Sequence, residues 1–433
     1  MRSQNLIGAS RVFVCDEGFC VIKDGGVLYE SIECDETSGH KKHSQEAKIL
    51  AVGKYEDLVR EYPSAEREFW HDSVLLPSLV NAHIHFEFSN NTTSFVYGDF
   101  GRWLDSVIAK RDDVLSDITK SVQEAIALQF ANGVGLVGAI SSYGYDMETL
   151  SGSGLRVVYF SEAMGSNPGA IDALFSDFKA RLGQSIAHKS ELFTPAVALH
   201  SPYSLHHIYA KYILQEAKNL KTPISAHFLE STYEREWLMN GSGYFYDFFS
   251  RTFKVPNPKP FYSIEGFLEQ FMDFDNVLLT HCLFAGESEY KIMAQNAYNI
   301  VTCPRSNRLL NNTYLSFLHT QGRKDSDFVP NIALGTDGRS SNADVSLLEE
   351  MRSILFACPQ VELDSLAQQI LKMTTCNGAQ ALGVKSGILK DGYNADIAVF
   401  EIPHITHSCQ EALQFILHAK EAKRLLINGK GII

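Results

Sequence analysis

The sequence predicts an α/β protein: a (β/α)8 TIM barrel over residues 74–384, with a small β-sandwich-like domain assembled from both termini, residues 1–73 and 385–433. Three observations predict it. From residue 74 onward eight apolar, β-rich runs recur, each followed by a longer helix-like stretch, and continuous apolar strands alternating with helices build a parallel sheet. Side chains able to do chemistry stand at the C-terminal ends of those runs, the face on which such barrels carry their sites. Both ends of the chain return to β-like runs without long helices between them.

The N-terminal part offers strands at 12–14, 19–22 and 49–52, broken by Gly and acidic residues. Residues 34–47 read as an exposed loop, with His40 and His43 as solvated side chains. The eight barrel strands are placed at 74–80, 133–141, 155–162, 194–199, 223–226, 276–280, 299–302 and 331–335. His206 and His207, after the fourth strand, begin a helix. Between the fifth and sixth strands, residues 229–275 are rich in Tyr, Phe and Pro and suit a lid or a substrate wall on the catalytic rim. Strands at 395–400 and 424–429 close the chain.

Composition narrows the function. Of 433 residues 45% are hydrophobic, enough for a folded core. Lys and Arg number 38 against 51 Asp and Glu, a net charge of −13, which argues against a nucleic-acid partner and against anionic lipid. No apolar run approaches the roughly 18 residues of a membrane span, and the N-terminus lacks a signal-peptide pattern. Eight Cys without a C-x-x-C pair fit a reduced compartment. The expectation is a soluble cytoplasmic protein that takes a small molecule, with a homodimer left open as its assembly.

The strand ends carry the chemistry. His83-Ile84-His85 ends the first barrel strand, His200 the fourth, His227 the fifth, His281 the sixth and Asp337 the eighth. One buried histidine at a strand end is ordinary packing; five with a carboxylate are not. Neutral imidazoles with one carboxylate suit a single divalent metal ion, Zn2+ before Fe2+, and three His with one Asp leave a position for water. Glu230, three residues after His227, lies where a general acid/base could reach water and substrate, although a Glu near a helix N-terminus is also common.

At this point the motifs resemble a family. Residues 77–85, His200-Ser201-Pro202-Tyr203-Ser204, His227-Phe228-Leu229-Glu230-Ser231, His281-Cys282, Cys303-Pro304-Arg305-Ser306-Asn307, Gly335-Thr336-Asp337-Gly338 and the tail 386–400 together resemble the amidohydrolase superfamily. The match is to its cytosine deaminase and chlorohydrolase-like (ATZ/TRZ) branch, and it covers nearly the whole chain. The resemblance implies that His83, His85, His227 and Asp337 bind one metal ion. It implies that Glu230 shuttles a proton from water to a ring nitrogen, that His281 orients the water, and that Asp337 accepts its first proton. His200, Ser306, Asn307 and Arg308 would contact substrate. The fourth strand contains no Lys, where two-metal members carry a carboxylated one, and this favours one metal and deamination.

Within that branch Phe86-Glu87-Phe88-Ser89-Asn90-Asn91, the run 303–310 and Leu417-His418-Ala419-Lys420-Glu421 are most similar to the members that deaminate aminofutalosine in an alternative menaquinone pathway. The implied reaction attacks C6 of an adenine ring in 6-amino-6-deoxyfutalosine and releases ammonia. Methylthioadenosine, S-adenosylhomocysteine or guanine as substrate, or amide and C–Cl hydrolysis, stay open as alternatives. The implied substrate carries a benzoate, for which Arg308 or Arg339 is the expected cation. Phe86, Phe88 and Trp103 could line the base pocket, and Cys282 and Cys303 could touch substrate.

Overall fold

The computed structural model describes residues 2–32, 46–91, 93–316 and 330–433; His40 and His43 lie outside the described residues. Among the described residues fifteen strands fall into two sheets. The first sheet takes β1 (Arg2–Phe13), β2 (Val21–Ile32), β3 (Ile49–Lys54) and β4 (Glu66–Pro77). The second is built from β5 (Leu79–Ile84), β6 (Val134–Ser141), β7 (Arg156–Ala163) and β8 (Phe193–Leu199), continued by β9 (Ile224–Phe228), β10 (Val277–His281), β11 (Asn299–Thr302) and β12 (Ile332–Leu334). The chain then returns to the first sheet with β13 (Ile397–Glu401), β14 (Ala422–Ile427) and β15 (Lys430–Gly431).

β5 to β12 lie side by side in sequence order and are all parallel, the arrangement of a (β/α)8 TIM barrel. The two ends of that sheet meet just beyond β12, where the Thr336 and Asp337 amides donate to the His83 carbonyl at 3.0 and 3.1 Å. Asn81 adds to the seam by donating to the Thr336 hydroxyl at 2.9 Å. Val80, Ala82, Leu136, Ile140, Val158, Phe160, Ala196, Ala198, Leu278, Val301 and Ala333 fill the interior. The helix Cys376–Ala381 closes the bottom, with Ala379 and Ala381 in the same cluster. Inner layers of small and branched side chains make the barrel a packed core, so ligands have access only from its mouth.

The terminal strands form one seven-stranded mixed sheet, ordered β15-β14-β13-β4-β1-β2-β3, in which only β1 and β4 run parallel. Two expectations change here. The run 74–80, read as one barrel strand, is divided. Val74 to Pro77 pair with β13 (Leu75 opposite Val399), and the barrel strand begins at Leu79. Pro77 has no amide to continue a ladder, and the Ser78 amide turns to the Asp396 carbonyl at 3.0 Å. β1 and β2 are 12 residues each, not the short runs expected, because Gly8 and Gly26 stand opposite each other inside the ladder instead of breaking it. A Cβ on Gly8 would come within 2.3 Å of the Tyr55 ring, so the glycine makes room for that ring on the sheet.

A buried ion pair ties this sheet to the barrel. Arg156, at the start of β7, donates Nε to Asp396 Oδ2 at 2.9 Å and Nη2 to Oδ1 at 3.2 Å. Asp396 also accepts from the Ser386 hydroxyl and the Asn428 amide. Removing Asp396 leaves the buried guanidinium with only Glu46, 3.4 Å away and 38% exposed, as a carboxylate partner, and removing Arg156 strands the Asp396 charge in the interior. Asp396→Ala is therefore expected to cost about 3–5 kcal/mol of stability. Replacing both Arg156 and Asp396 by apolar residues should cost less than that single change. Urea unfolding of the three variants checks this, and an unchanged midpoint for Asp396→Ala would count against the pair as a staple. No helix among the described residues is long and apolar enough to cross a membrane.

Candidate active site and metal centre

The site is built at the C-terminal ends of β5, β8, β9, β10 and β12. Along β5, Val80 and Ala82 point into the barrel, yet Ile84 packs in the outer core. The register shifts between Asn81 and Ile84. This bulge re-aims the strand end so that His83 and His85 share the mouth. Their rings lie 4.9 Å apart, and the His227 ring is 5.0 Å from His83. His85 Nε2 and His227 Nε2 face each other at 3.3 Å. Asp337 Oδ1 stands 3.9 Å from His83 Nε2 and 3.6 Å from His85 Nε2. His281 and Asp337 both hold left-handed backbone, with φ of +72° and +59°, a conformation that non-glycine residues adopt only where the surroundings impose it.

Hydrogen bonds away from the centre set the tautomers. The His227 Nδ1–H donates to the His200 carbonyl at 2.9 Å, which leaves the Nε2 lone pair facing the cluster. His281 Nδ1 is 2.8 Å from the Asn307 side-chain oxygen, so its Nε2 lone pair also faces inward. His83 Nδ1 lies 3.2 Å from the Thr280 hydroxyl, and His83 Nε2 is buried without a hydrogen-bond partner. Asp337 is held by the Ser306 hydroxyl and the Gly338 amide, both at 2.8 Å. Nitrogen and oxygen donors of His83, His85 and Asp337 lie within 4.8 Å of one another, as do those of His83, His227 and His281. Buried lone pairs aimed at one another are destabilising unless a cation sits among them, so the donor set fits a divalent metal ion.

The electrostatics agree with that use. Burial pushes His83 and His227 well below the ordinary histidine range and lowers His85 and His281, so all four are neutral bases near pH 7. Burial likewise lowers His200 to about 4. Burial acts to raise Asp337, but His85, His281, His83 and the Ser306 hydroxyl outweigh it and keep the carboxylate ionised. Glu230 goes the other way: burial, then the negative charge of Asp337, push its carboxyl well above the usual range. Its Oε1 lies 3.6 Å from His281 Nε2. Two carboxyls whose proton affinities are driven in opposite directions in one site are the pattern that separates a base from an acid.

Glu230 is placed by its neighbours. Ser231 caps the helix Thr232–Asn240, and Glu234 in its first turn accepts the Leu229 and Glu230 amides at 3.0 and 3.1 Å. Beyond the cluster a cavity of about 620 Å3 opens, a size suited to a nucleoside-sized ligand. His200, Phe88 and Trp103 line it. The expected wall over 229–275 is present as the helix Tyr244–Thr252 and the residues after it, which supply Phe248, Phe249 and Phe253 to the cavity. His206 caps the helix His207–Leu220, as expected.

Other expected contacts fall elsewhere. The helix Pro304–Asn311 buries Ser306 and Asn307 against Asp337 and His281, and neither lines the cavity. Arg308, the next residue round the turn, is exposed and bonds Asn312. Arg339 donates to the Ser89 carbonyl at 3.0 Å and does not line the cavity. Phe86, Cys282 and Cys303 are buried off the cavity. Two carboxylates stand outside the set predicted from sequence. Glu162 ends β7 and lines the cavity, with Oε1 unpartnered and 3.6 Å from His227 Nδ1; the strand-end rule applied to the third strand would have found it. Glu87 accepts the Ser142, Tyr143 and Tyr145 amides and pins the loop after β6, a role with no sequence signal.

Residues 74–432 match the profile of the amidohydrolase family. The chain belongs to that family. It is 37% identical to an aminodeoxyfutalosine deaminase of a Nitratiruptor species over 88% of its own length and 93% of the relative's. A Helicobacter pylori adenosine deaminase is 36% identical, over 99% of this chain and all of that one. Among solved structures, Helicobacter pylori aminofutalosine deaminase in complex with methylthio-coformycin superposes with a TM-score of 0.88 at 35% identity, covering 99% of this chain and 100% of the other. As an amidohydrolase whose relatives are deaminases, the protein is a hydrolase of C–N bonds.

Proposed function

We propose that this amidohydrolase deaminates an adenine nucleoside, 6-amino-6-deoxyfutalosine, to futalosine and ammonia. The observation that carries the proposal is Glu230, a buried carboxyl held above its usual pKa and 3.6 Å from His281, beside an ionised Asp337. The two relatives' activities support the same reaction class.

His83, His85, His227 and Asp337 would hold one divalent ion, and three imidazoles with one carboxylate favour Zn2+ over Fe2+. When bound, such an ion lowers the pKa of a coordinated water and supplies hydroxide near neutral pH. Asp337, ionised and bonded to Ser306, takes the first proton from the water. His281, its Nδ1 proton committed to Asn307, offers Nε2 to the same water and orients it towards C6. Glu230, whose proton affinity burial and the Asp337 charge raise, gives its proton to the ring nitrogen N1, which makes C6 electrophilic. Water adds at C6, the C6–N bond breaks, the amine leaves as ammonia with the proton that Asp337 received, and the proton left on the new C6 hydroxyl returns to Glu230 as the carbonyl forms. Phe88 and Trp103 flank the space that the base would enter.

The test is a panel of nucleosides offered to metal-loaded protein, followed by loss of the amino-purine ultraviolet band and by ammonia. kcat/KM is expected to be highest for aminofutalosine, at least about tenfold above methylthioadenosine, S-adenosylhomocysteine and adenosine, a margin that one or two specific contacts provide. Absence of ammonia from every member removes the deaminase proposal. A higher value for methylthioadenosine reassigns the substrate.

A further inference from the structure

The cavity has two unlike ends. Its carboxylates Glu162, Glu230 and Asp337 gather at the inner end with the histidines. The outer part is apolar and includes surface that a core would normally hide: Ile108 is 45% exposed and Phe253 56%. One helix, Phe100–Val114, supplies much of this wall. Its Trp103, Leu104, Val107, Ile108 and Arg111 all face the cavity. The spacing of one, four, five and eight residues from Trp103 is that of a single helical face. An apolar stripe of this kind ordinarily packs wholly into a core; here Trp103 and Leu104 also touch the core, and the stripe fronts the cavity along its length. Trp103 anchors the inner end of the stripe, its indole N–H donating to the Ser340 carbonyl at 2.8 Å, three residues after Asp337. At 1.5 Å per residue, Arg111 lies about 12 Å further out along the helix.

Arg111 is the only Lys or Arg among the described residues that line this cavity. Its carboxylate neighbour, Asp112, is 3.6 Å away, but the two side chains are 54% and 94% exposed, so the pair is weak and does not occupy the guanidinium. Tyr143 lines the same cavity; burial pushes its phenol up, while the Arg111 charge and a hydrogen bond from its guanidinium pull it down, so the two groups stand together. Tyr143 is itself fixed, because Glu87 accepts its amide at 3.0 Å. A guanidinium beside a phenol, at the end of an apolar and aromatic channel, is complementary to one ligand feature: a carboxylate on an aryl or otherwise apolar arm.

We propose that Arg111 is the specificity-determining residue for the far end of the substrate, pairing with a carboxylate carried on an apolar arm that extends from the ribose of the nucleoside. This rests on the deaminase proposal and deepens it: the site selects anionic, aryl-extended adenine nucleosides over neutral ones. It assigns to Arg111 the part that the sequence suggested for Arg308 or Arg339.

The experiment compares metal-loaded wild-type protein with Arg111→Met and Arg111→Lys on aminofutalosine, which carries the carboxylate, and methylthioadenosine, which does not. For Arg111→Met, kcat/KM on aminofutalosine is expected to fall about 10- to 100-fold, the worth of a charge-assisted bidentate pair, with most of the loss in KM. On methylthioadenosine it should change less than about threefold, and Arg111→Lys should recover part of the loss. Binding of the product futalosine, measured by calorimetry, should weaken by a similar factor, a readout independent of turnover. Equal losses on both nucleosides, or unchanged futalosine binding, overturn the role of Arg111 even if deamination stands. If neither nucleoside is deaminated, the deaminase proposal fails, and the futalosine titration still decides for or against Arg111.

Discussion

Glu230→Gln is expected to lower kcat by about 10²- to 10⁴-fold, the range of a lost general acid/base, while bound metal stays at the wild-type level. The substitution is nearly isosteric. Its amide can still donate a hydrogen bond to the ring nitrogen, so substrate binding should be largely kept, but it cannot release a proton. The loss should therefore appear in kcat more than in KM. Stability should move the opposite way. A carboxyl whose folded pKa is raised makes the folded state hold its proton after the unfolded state has lost it. Wild-type stability therefore falls as pH rises above the unfolded carboxyl pKa, until the folded pKa is passed. The Glu230→Gln protein lacks that penalty, so in the metal-free state it should be equal to or more stable than wild type, increasingly so towards high pH. Thermal unfolding across pH, with metal content and steady-state rates on the same samples, checks both halves. Near wild-type turnover with full metal content would falsify the proton-transfer role.

This opposition shows why the site was so readable. Parallel barrel strands all end on one face, so position in sequence becomes position in space: His85, His200, His227, His281 and Asp337 all line one cavity. The stability cost of burying such groups together is what separates them from packing residues. Where sequence fell short, the missing information was about what a surface faces. Val74 to Val80 are all buried, and hydrophobicity does not reveal that the first four residues belong to one sheet and the last two to another. Likewise the helix Phe100–Val114 has a legible apolar stripe, but periodicity cannot distinguish a stripe against a core from a stripe against a cavity. Arg111, on that stripe, therefore carries no signal in the sequence. Arg308 sits inside a family motif, yet the turn that buries Ser306 and Asn307 carries it outward. Charges on helices need the helix's rotation, and only the packed structure supplies it.

Removing the divalent ion is expected to abolish measurable deamination, a fall of at least about 10⁴-fold, and to lower the thermal midpoint, with Zn2+ restoring both. The size follows from the water: its pKa is about 15.7 in bulk and about 7 on such an ion, so hydroxide at neutral pH becomes scarcer by many orders of magnitude. The shift in stability follows from the folding of the donors. His83 and Asp337 are more than half the chain apart in sequence and adjoin only where the ends of the barrel sheet meet, so the unfolded chain has no comparable site. A ligand that binds only the folded state, at a thousandfold excess over its Kd, stabilises by about 4 kcal/mol. His83→Gln should reproduce the metal-free state, losing bound metal, activity and the Zn2+-dependent rise in midpoint together, because His83 Nε2 is a buried lone pair with no other partner. Arg111→Met, far from the cluster, should keep all three on methylthioadenosine. Metal analysis, calorimetry and rates on chelated and reconstituted protein decide the matter. If chelated protein unfolds at the same temperature as untreated protein and no metal is found in either, the four converging side chains serve some other purpose than holding an ion.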